Sequence, residues 1–292
     1  MKHTIFKERI PGLMVEQVIR DEEFNMDARH MHSEYEIYYL LEGERYYFIE
    51  SETFLIKSGT ILFIEKEKIH KTNSVAGKPY FNRMLIEVKE EWLEAFFQRL
   101  RVVTIERFFE SCKIVELNKE GQKLVENTML IIANEARERK IGYEQMILAR
   151  LAEMMLYIIR TRQVFPLADK EGNLLSAKCL KVNEVAEYIQ KNCYKKISLQ
   201  GLAEKFFVSK CYLSRIFKEV TGFTINEYLT IQRVKKGREL LETTNYSITQ
   251  ISELAGFESV TYFEKVFKKQ MGQPPFKYRK FRRAAVKGKI NG

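Results

Sequence analysis

The chain is poor in several things, and each scarcity excludes something. Its four cysteines, Cys112, Cys179, Cys193 and Cys211, are irregularly spaced with no C-x-x-C pair, which argues against a disulfide framework or a zinc ribbon and for ordinary reduced thiols. No stretch approaches the roughly twenty apolar residues of a membrane-spanning helix. The N-terminus MKHTIFKERIPGLMVEQ lacks the apolar block of a secretory signal, so a soluble, cytoplasmic protein is expected. Aspartate is missing from Cys179 onward, where 22 Lys and Arg face 10 Glu, a charge of +12. The remainder has 27 basic and 29 acidic residues, or −2, so the whole net charge of +10 comes from the last 114 of 292 residues. A near-neutral body joined to a strongly basic part is the layout expected when one domain meets a polyanion and the other does something else. The length itself suggests two domains.

What is present sorts by position. In the first ninety residues, EIYYLLEG, RYYFIESETFLIKSG, TILFIEKEKIH and YFNRMLIEV are rich in Tyr, Phe and Ile and punctuated by Gly43, Gly59 and Gly77, which predicts an antiparallel sheet or small barrel broken at those glycines. From Glu90 the period becomes helical: EEWLEAFFQRL, then segments near 121–140 and 143–163. In the last, Ile147, Leu151, Met154 and Ile158 form one apolar stripe with Leu148, Met155 and Ile159 beside it, broad enough for a core and for contact with a second copy. VFPLADKEGNLLSAK loses the period, placing a linker at 166–178 between a domain of 1–165 and one of 179–285, with a basic tail at 286–292.

The basic half repeats itself. SLQGLAEKFFVSKCYLSRIFKEVTGFTINEY, from Ser198, lies over SITQISELAGFESVTYFEKVFKKQMGQPPFKY, from Ser247. At an offset of 50, Ser209/Ser259, Tyr212/Tyr262, Phe217/Phe267, Lys218/Lys268, Gly222/Gly272 and Tyr228/Tyr278 are identical, so one supersecondary unit is used twice. Each copy reads as a helix-turn-helix: Ser247 with Gln250 forms a capping box, Gly256 supplies the turn and Ser259 caps the next helix, while the first copy has Phe207 at the turn and is one residue shorter. Leu213, Ile216, Phe217 and Val220 form the buried face of the first reader, and Phe263, Val266 and Phe267 that of the second. Cys211, Ser214, Arg215 and Lys218 then face outward from a helix begun by Ser209 and Lys210. Thr261, Glu264, Lys265 and Lys268 do so in the second copy. Such helices enter the DNA major groove, where Arg and Ser reach base edges and Lys reaches phosphates. INEYLTIQRVKKGRELLETT between them reads as one continuous helix, fixing their relative orientation.

This half resembles the DNA-binding domain of the AraC/XylS family of transcription regulators, through the closing string GFESVTYFEKVFKKQMGQPPFKYR. It departs from the family pattern at Pro274, where Thr or Ser is frequent. The resemblance covers roughly 180–283 and implies a seven-helix domain with recognition helices at 209–220 and 259–270. Carried over by position, base contacts fall to Cys211, Ser214 and Arg215 in the first and to Val260, Thr261 and Lys265 in the second.

In the other half, RHMHSEYEIYYLLEG sets His30, His32 and Glu36 two and four residues apart, on one face of any strand they share. The stretch resembles the first cupin motif, H-x-H-x3-E-x6-G, at His30, His32, Glu36 and Gly43. The second motif, G-x5-P-x-G-x2-H, is half present, with Gly59 and His70 in register but Glu65 and Glu67 where Pro and Gly belong. The resemblance implies a cupin-like sensor domain, and His30, His32, Glu36 and His70 are a candidate divalent-metal set. Three readings remain open for these groups: a catalytic metal, an effector pocket with or without a metal that Arg29 and Tyr38 help to line, or groups that merely satisfy one another. Beside a DNA-reading half, the pocket is preferred.

The expectation is therefore an α+β protein, with an N-terminal cupin-like β-barrel carrying a helical extension and a C-terminal all-α domain with two helix-turn-helix motifs. It would be a regulator rather than an enzyme, an activator answering a small polar effector, by family analogy a carbohydrate. The partners implied are double-stranded DNA, the effector, RNA polymerase and a second copy through 121–163. The competing readings are a constitutive regulator whose N-terminal domain only dimerises, and a metal-dependent cupin enzyme fused to a DNA anchor.

Overall fold

A computed structural model describes residues 1–22, 32–101, 103–164 and 176–290. The chain divides into two compact units, 1–49 with 54–175 and 50–53 with 176–292, and no described helix is long and apolar enough to cross a membrane.

The first unit is built on antiparallel strands: β1 (Lys2–Ile10), β2 (Leu13–Arg20), β3 (Tyr35–Ile49), β4 (Glu52–Lys57), β5 (Thr60–Ile64), β6 (His70–Ser74), β7 (Phe81–Val88) and β8 (Ile114–Glu116). They run in the order β1-β2-β7-β3-β5-β8, and β4 and β6 also pair with β3. Strand β3 holds the barrel together, because its first half lies between β5 and β7 and its second half pairs with β6. Gly43 does not break this strand as expected. It sits beside a bulge between Leu40 and Glu42 and turns the corner with φ +99, where an added Cβ would lie 2.5 Å from the Tyr80 carbonyl oxygen.

The bulge resets the period of two. Before it, even positions such as Tyr38 and Leu40 belong to the inner cluster; after it, odd positions Tyr47 and Ile49 do. The outer face, with Tyr35, Ile37, Tyr39, Phe63 and Ile86, packs against α1 (Glu90–Leu100), α2 (Ile105–Ser111), α3 (Lys119–Glu138) and α4 (Tyr143–Val164). Helix α2 and strand β8 have no counterpart in the sequence reading. The apolar stripe of α4 is spent on this core: Ile147, Leu151, Met154, Met155 and Ile158 are buried, whereas Leu148 and Ile159 are half-buried.

The second unit comprises seven helices among the described residues: α5 (Ala177–Asn192), α6 (Leu199–Lys205), α7 (Lys210–Thr221), α8 (Ile225–Thr243), α9 (Ile248–Leu254), α10 (Val260–Met271) and α11 (Pro275–Ile290). Two boundaries differ from expectation. The Ser176 hydroxyl accepts from the Cys179 backbone and starts α5 inside the expected linker, and α11 carries helical backbone through 286–290, where a tail was expected. Helix α8 packs against α5 and α7 and against α9, α10 and α11, so it is the shared spine of both motifs.

Candidate functional site: a polar barrel interior and a tandem DNA reader

The inner face of the barrel carries charge as well as apolar surface. Glu36 on β3 is 3% exposed and His70 on β6 is 1% exposed. His32, just before β3, brings its Nε2 to 3.4 Å from Glu36 Oε2, and His70 Nε2 lies 3.3 Å from the same oxygen. The other nitrogen of each ring is held by the backbone: His32 Nδ1 donates to the Glu34 carbonyl at 3.0 Å and His70 Nδ1 to that of Lys68 at 2.9 Å. A carbonyl only accepts, so in a neutral imidazole the proton sits on Nδ1 and Nε2 offers a lone pair. Two lone pairs and a carboxylate oxygen therefore converge, an arrangement that either protons on Nε2 or a cation would relieve. The three ligand atoms lie within 4.8 Å of one another. This nitrogen and oxygen set, with each distal ring nitrogen anchored, fits a divalent transition metal.

The electrostatics follow from the same contacts. Burial alone would push the Glu36 carboxyl up; with protons on Nε2 as well, the charge of His70 and the hydrogen bond from His32 outweigh it and hold the group well below the ordinary range. Burial would push His32 down, and its bond to Glu36 carries it above its ordinary value. Tyr47 donates its hydroxyl to Glu36 Oε1 at 2.7 Å; burial and the adjacent carboxylate raise its pKa.

The structure thus brings together His32, Glu36 and His70, with Tyr38 against Tyr47 at a ring-centroid distance of 5.1 Å. His30 and Arg29 lie outside the described residues. Glu67, standing where the second cupin motif has Gly, adopts φ +65. Its backbone N–H donates to the His32 carbonyl at 2.7 Å, so the tight turn that Gly would supply is formed without it. Missed by the sequence reading were Tyr47, Thr72, the buried Arg45 and the half-buried Arg83. Arg45 and Tyr47 lie beyond the bulge, where an unbroken alternation assigns them to the wrong face.

In the helical unit four of the six repeated pairs are scaffold. Ser209 and Ser259 accept from the backbone N–H of Tyr212 and Tyr262 and cap α7 and α10. Gly222 and Gly272 end those helices with φ +76 and +77. Phe217 packs on Tyr228 at 5.7 Å and Phe267 on Tyr278 at 5.5 Å, fixing each reader to the helix that follows it. The turns also match: the Val208 N–H bonds to the Ala203 carbonyl and that of Phe257 to Ser252. Phe207 takes φ +55 where Gly256 takes +90. The extra residue of the second copy is Glu258, between turn and cap.

Most of the positions that differ between the copies lie on the outward faces, which also carry the shared Tyr212/Tyr262 and Lys218/Lys268. Lys210, Cys211, Ser214, Arg215 and Lys218 of the first are exposed, as are Ser259, Thr261, Lys265 and Lys268 of the second. Val260 and Val266 are half-buried, the latter less covered than its expected core role requires. Exposed Tyr212 and Tyr262 stand beside them, and the Arg215 guanidinium lies 5.8 Å from the Tyr212 ring centroid.

A polar interior in one unit and two capped helix-turn-helix units with exposed faces in the other fit a regulator with separate ligand-binding and DNA-binding parts. Residues 17–140 match the AraC-like ligand-binding domain and residues 202–280 a helix-turn-helix domain. The chain is 28% identical over 253 residues to the HTH-type transcriptional regulator YfiF of Bacillus subtilis, covering 86% of this chain and 78% of that one. It is 31% identical over 145 residues to the xylose operon regulatory protein of Escherichia coli K12, covering 48% and 37%. It is 30% identical over 98 residues to the multiple antibiotic resistance protein MarA of Salmonella typhimurium, covering 34% and 77%. The chain belongs to the AraC family of DNA-binding transcription regulators, with an N-terminal ligand-binding domain.

Proposed function

We propose that this chain is a homodimeric transcription activator, working with RNA polymerase, whose operator binding is set by a small polar effector of carbohydrate type inside the barrel. The observation that carries the reading is the barrel interior itself. A sealed, purely structural core would be apolar, whereas this one keeps Glu36, His70, Arg45 and Asn73 buried, at a desolvation cost that a bound polar molecule would offset. The carbohydrate class is supported by the relative that regulates a xylose operon. Leu130 and Met146, exposed on α3 and α4, are the apolar surface left for a second copy. DNA contacts are assigned to Arg215, Ser214 and Cys211 on α7 and to Lys265, Thr261 and Val260 on α10.

His32, Glu36 and His70 would hold a divalent cation whose open positions polarise or bind effector oxygens. Melting curves across a sugar library, with elemental analysis of untagged protein, test both parts. A selective rise in melting temperature supports the sensor. No rise with any member contradicts it, and less than about a tenth of an equivalent of metal contradicts the cation.

A further inference from the structure

At the barrel interior, apart from the histidines, a second group of polar side chains is held out of water. Arg45 is fully buried, donating from Nε to Thr72 Oγ1 and from Nη1 to Ser74 Oγ, each at 3.1 Å. Its guanidinium lies over the Phe81 ring, 4.1 Å from the centroid. Arg83 stands 5.8 Å from the Tyr38 ring centroid and donates Nη2 to Glu16. Its Nη1, shielded from solvent, has no hydrogen-bond partner among the described residues. Glu16 also takes the Lys7 ammonium at 3.0 Å, so that carboxylate is shared between two cations. Arg20 adds a third, half-buried guanidinium: Arg83 acts against its charge while Glu22 and Glu16 favour it, and Arg20 and Arg83 both act on Arg45. Burial first, then these like charges, lower Arg45 to about 10.

Like charges around the buried Arg45 are tolerated where something of opposite sign completes the site, and Glu16 meets Arg83 through Nη2 while Nη1 is left over. Glu36 does not serve, being engaged by His32, His70 and Tyr47. A guanidinium with a spare N–H is the group best matched to a planar carboxylate or a phosphate. We infer that the effector carries an anionic group, a carboxylate or a phosphate, which docks on Arg83 Nη1 and the Arg45 guanidinium while its hydroxyls extend past Tyr38. This deepens the sensor reading and rests on it: the effector class becomes acidic sugars rather than neutral ones.

Titration calorimetry on the full chain tests it with glucose, glucuronate, gluconate, glucose 6-phosphate and inorganic phosphate. At least one sugar anion should bind ten-fold or more tightly than glucose, with glucuronate and gluconate against glucose 6-phosphate separating carboxylate from phosphate. Arg83→Gln should remove that advantage and Arg83→Lys restore part of it, each variant checked for an unchanged circular dichroism spectrum. If Arg83→Gln does not fold, Arg45→Lys, which keeps the charge but loses the planar fork of N–H groups, should cut the preference for the anion several-fold. Binding of glucose as tightly as its acids, no binding by any anion, or an advantage that survives Arg83→Gln would each overturn the inference. A neutral sugar that binds and changes operator affinity would overturn the anionic group alone. Bound ligands that leave operator affinity unchanged would overturn the sensor reading.

Discussion

Phe207 and Gly256 occupy the same turn of two copies of one motif, and only one of them suits it. With φ +55, Phe207 bears a left-handed strain of about 1–2 kcal/mol, and its side chain is 95% exposed, so it returns no packing. Phe207→Gly relieves that strain but adds about 0.4–1 kcal/mol of unfolded-state entropy. A net stabilisation of up to about 1.6 kcal/mol is predicted by urea unfolding, with DNA affinity unchanged. The reverse holds at Gly256, where a Cβ would meet the Cys193 carbonyl oxygen at 2.7 Å at φ +90; Gly256→Ala should cost about 2 kcal/mol or more. Tyr47→Phe removes a hydrogen bond to the buried Glu36 carboxylate and should cost about 1.5–3 kcal/mol. A loss below about 0.5 kcal/mol would mean that Glu36 is satisfied otherwise. Adding EDTA in excess should lower the melting temperature of the wild type and leave a His70→Ala variant unmoved, if His32, Glu36 and His70 hold a cation.

At the scale of elements, the helices of the basic half were legible because their punctuation is local. Ser209 and Ser259 as caps, the Ser247 and Gln250 capping box, and Gly222 and Gly272 as left-handed ends all act within a few residues of chain. The strands were less so. Residues 35–49 form one strand because its two halves pair with different partners, a long-range fact that no local pattern carries. The bulge near Gly43 then hid Arg45 and Tyr47 by shifting the alternation one place. Arg83 escaped for a different reason: an arginine in a strand reads as an outward charge until its partner Glu16, on a strand distant in sequence, is known. The reader helices support two separable predictions. Arg215→Ala, exposed on α7, should cost about 1–3 kcal/mol of specific operator binding without loss of stability. Lys268→Ala should weaken binding to all sequences alike and reduce the salt slope by about one. Equal loss at operator and random DNA for Arg215→Ala would remove it from base reading. Because the outward positions differ between the copies, Cys211 against Thr261 and Ser214 against Glu264, the two helices should prefer different half-sites, which a selection from random DNA would display.

For the whole molecule, charge segregation was the earliest sign of a division of labour, with all the excess positive charge lying beyond residue 178. The division is also in the chemistry: a buried set of histidine, carboxylate and arginine groups in one unit, an exposed tandem array in the other. A sensor is a sensor only if its ligand binds one state better than the other, and the coupling must then appear equally in both affinities. A coupling of about 1.4 kcal/mol corresponds to ten-fold in affinity. The direct measurement is the operator affinity of the full chain, on a site selected from random DNA, with and without a saturating concentration of whichever sugar or sugar acid raises its melting temperature. A change of about ten-fold or more, abolished by Arg83→Gln at unchanged ligand-free affinity, is the result predicted. Equal affinity with and without the ligand would contradict the account and leave a constitutive DNA-binding protein.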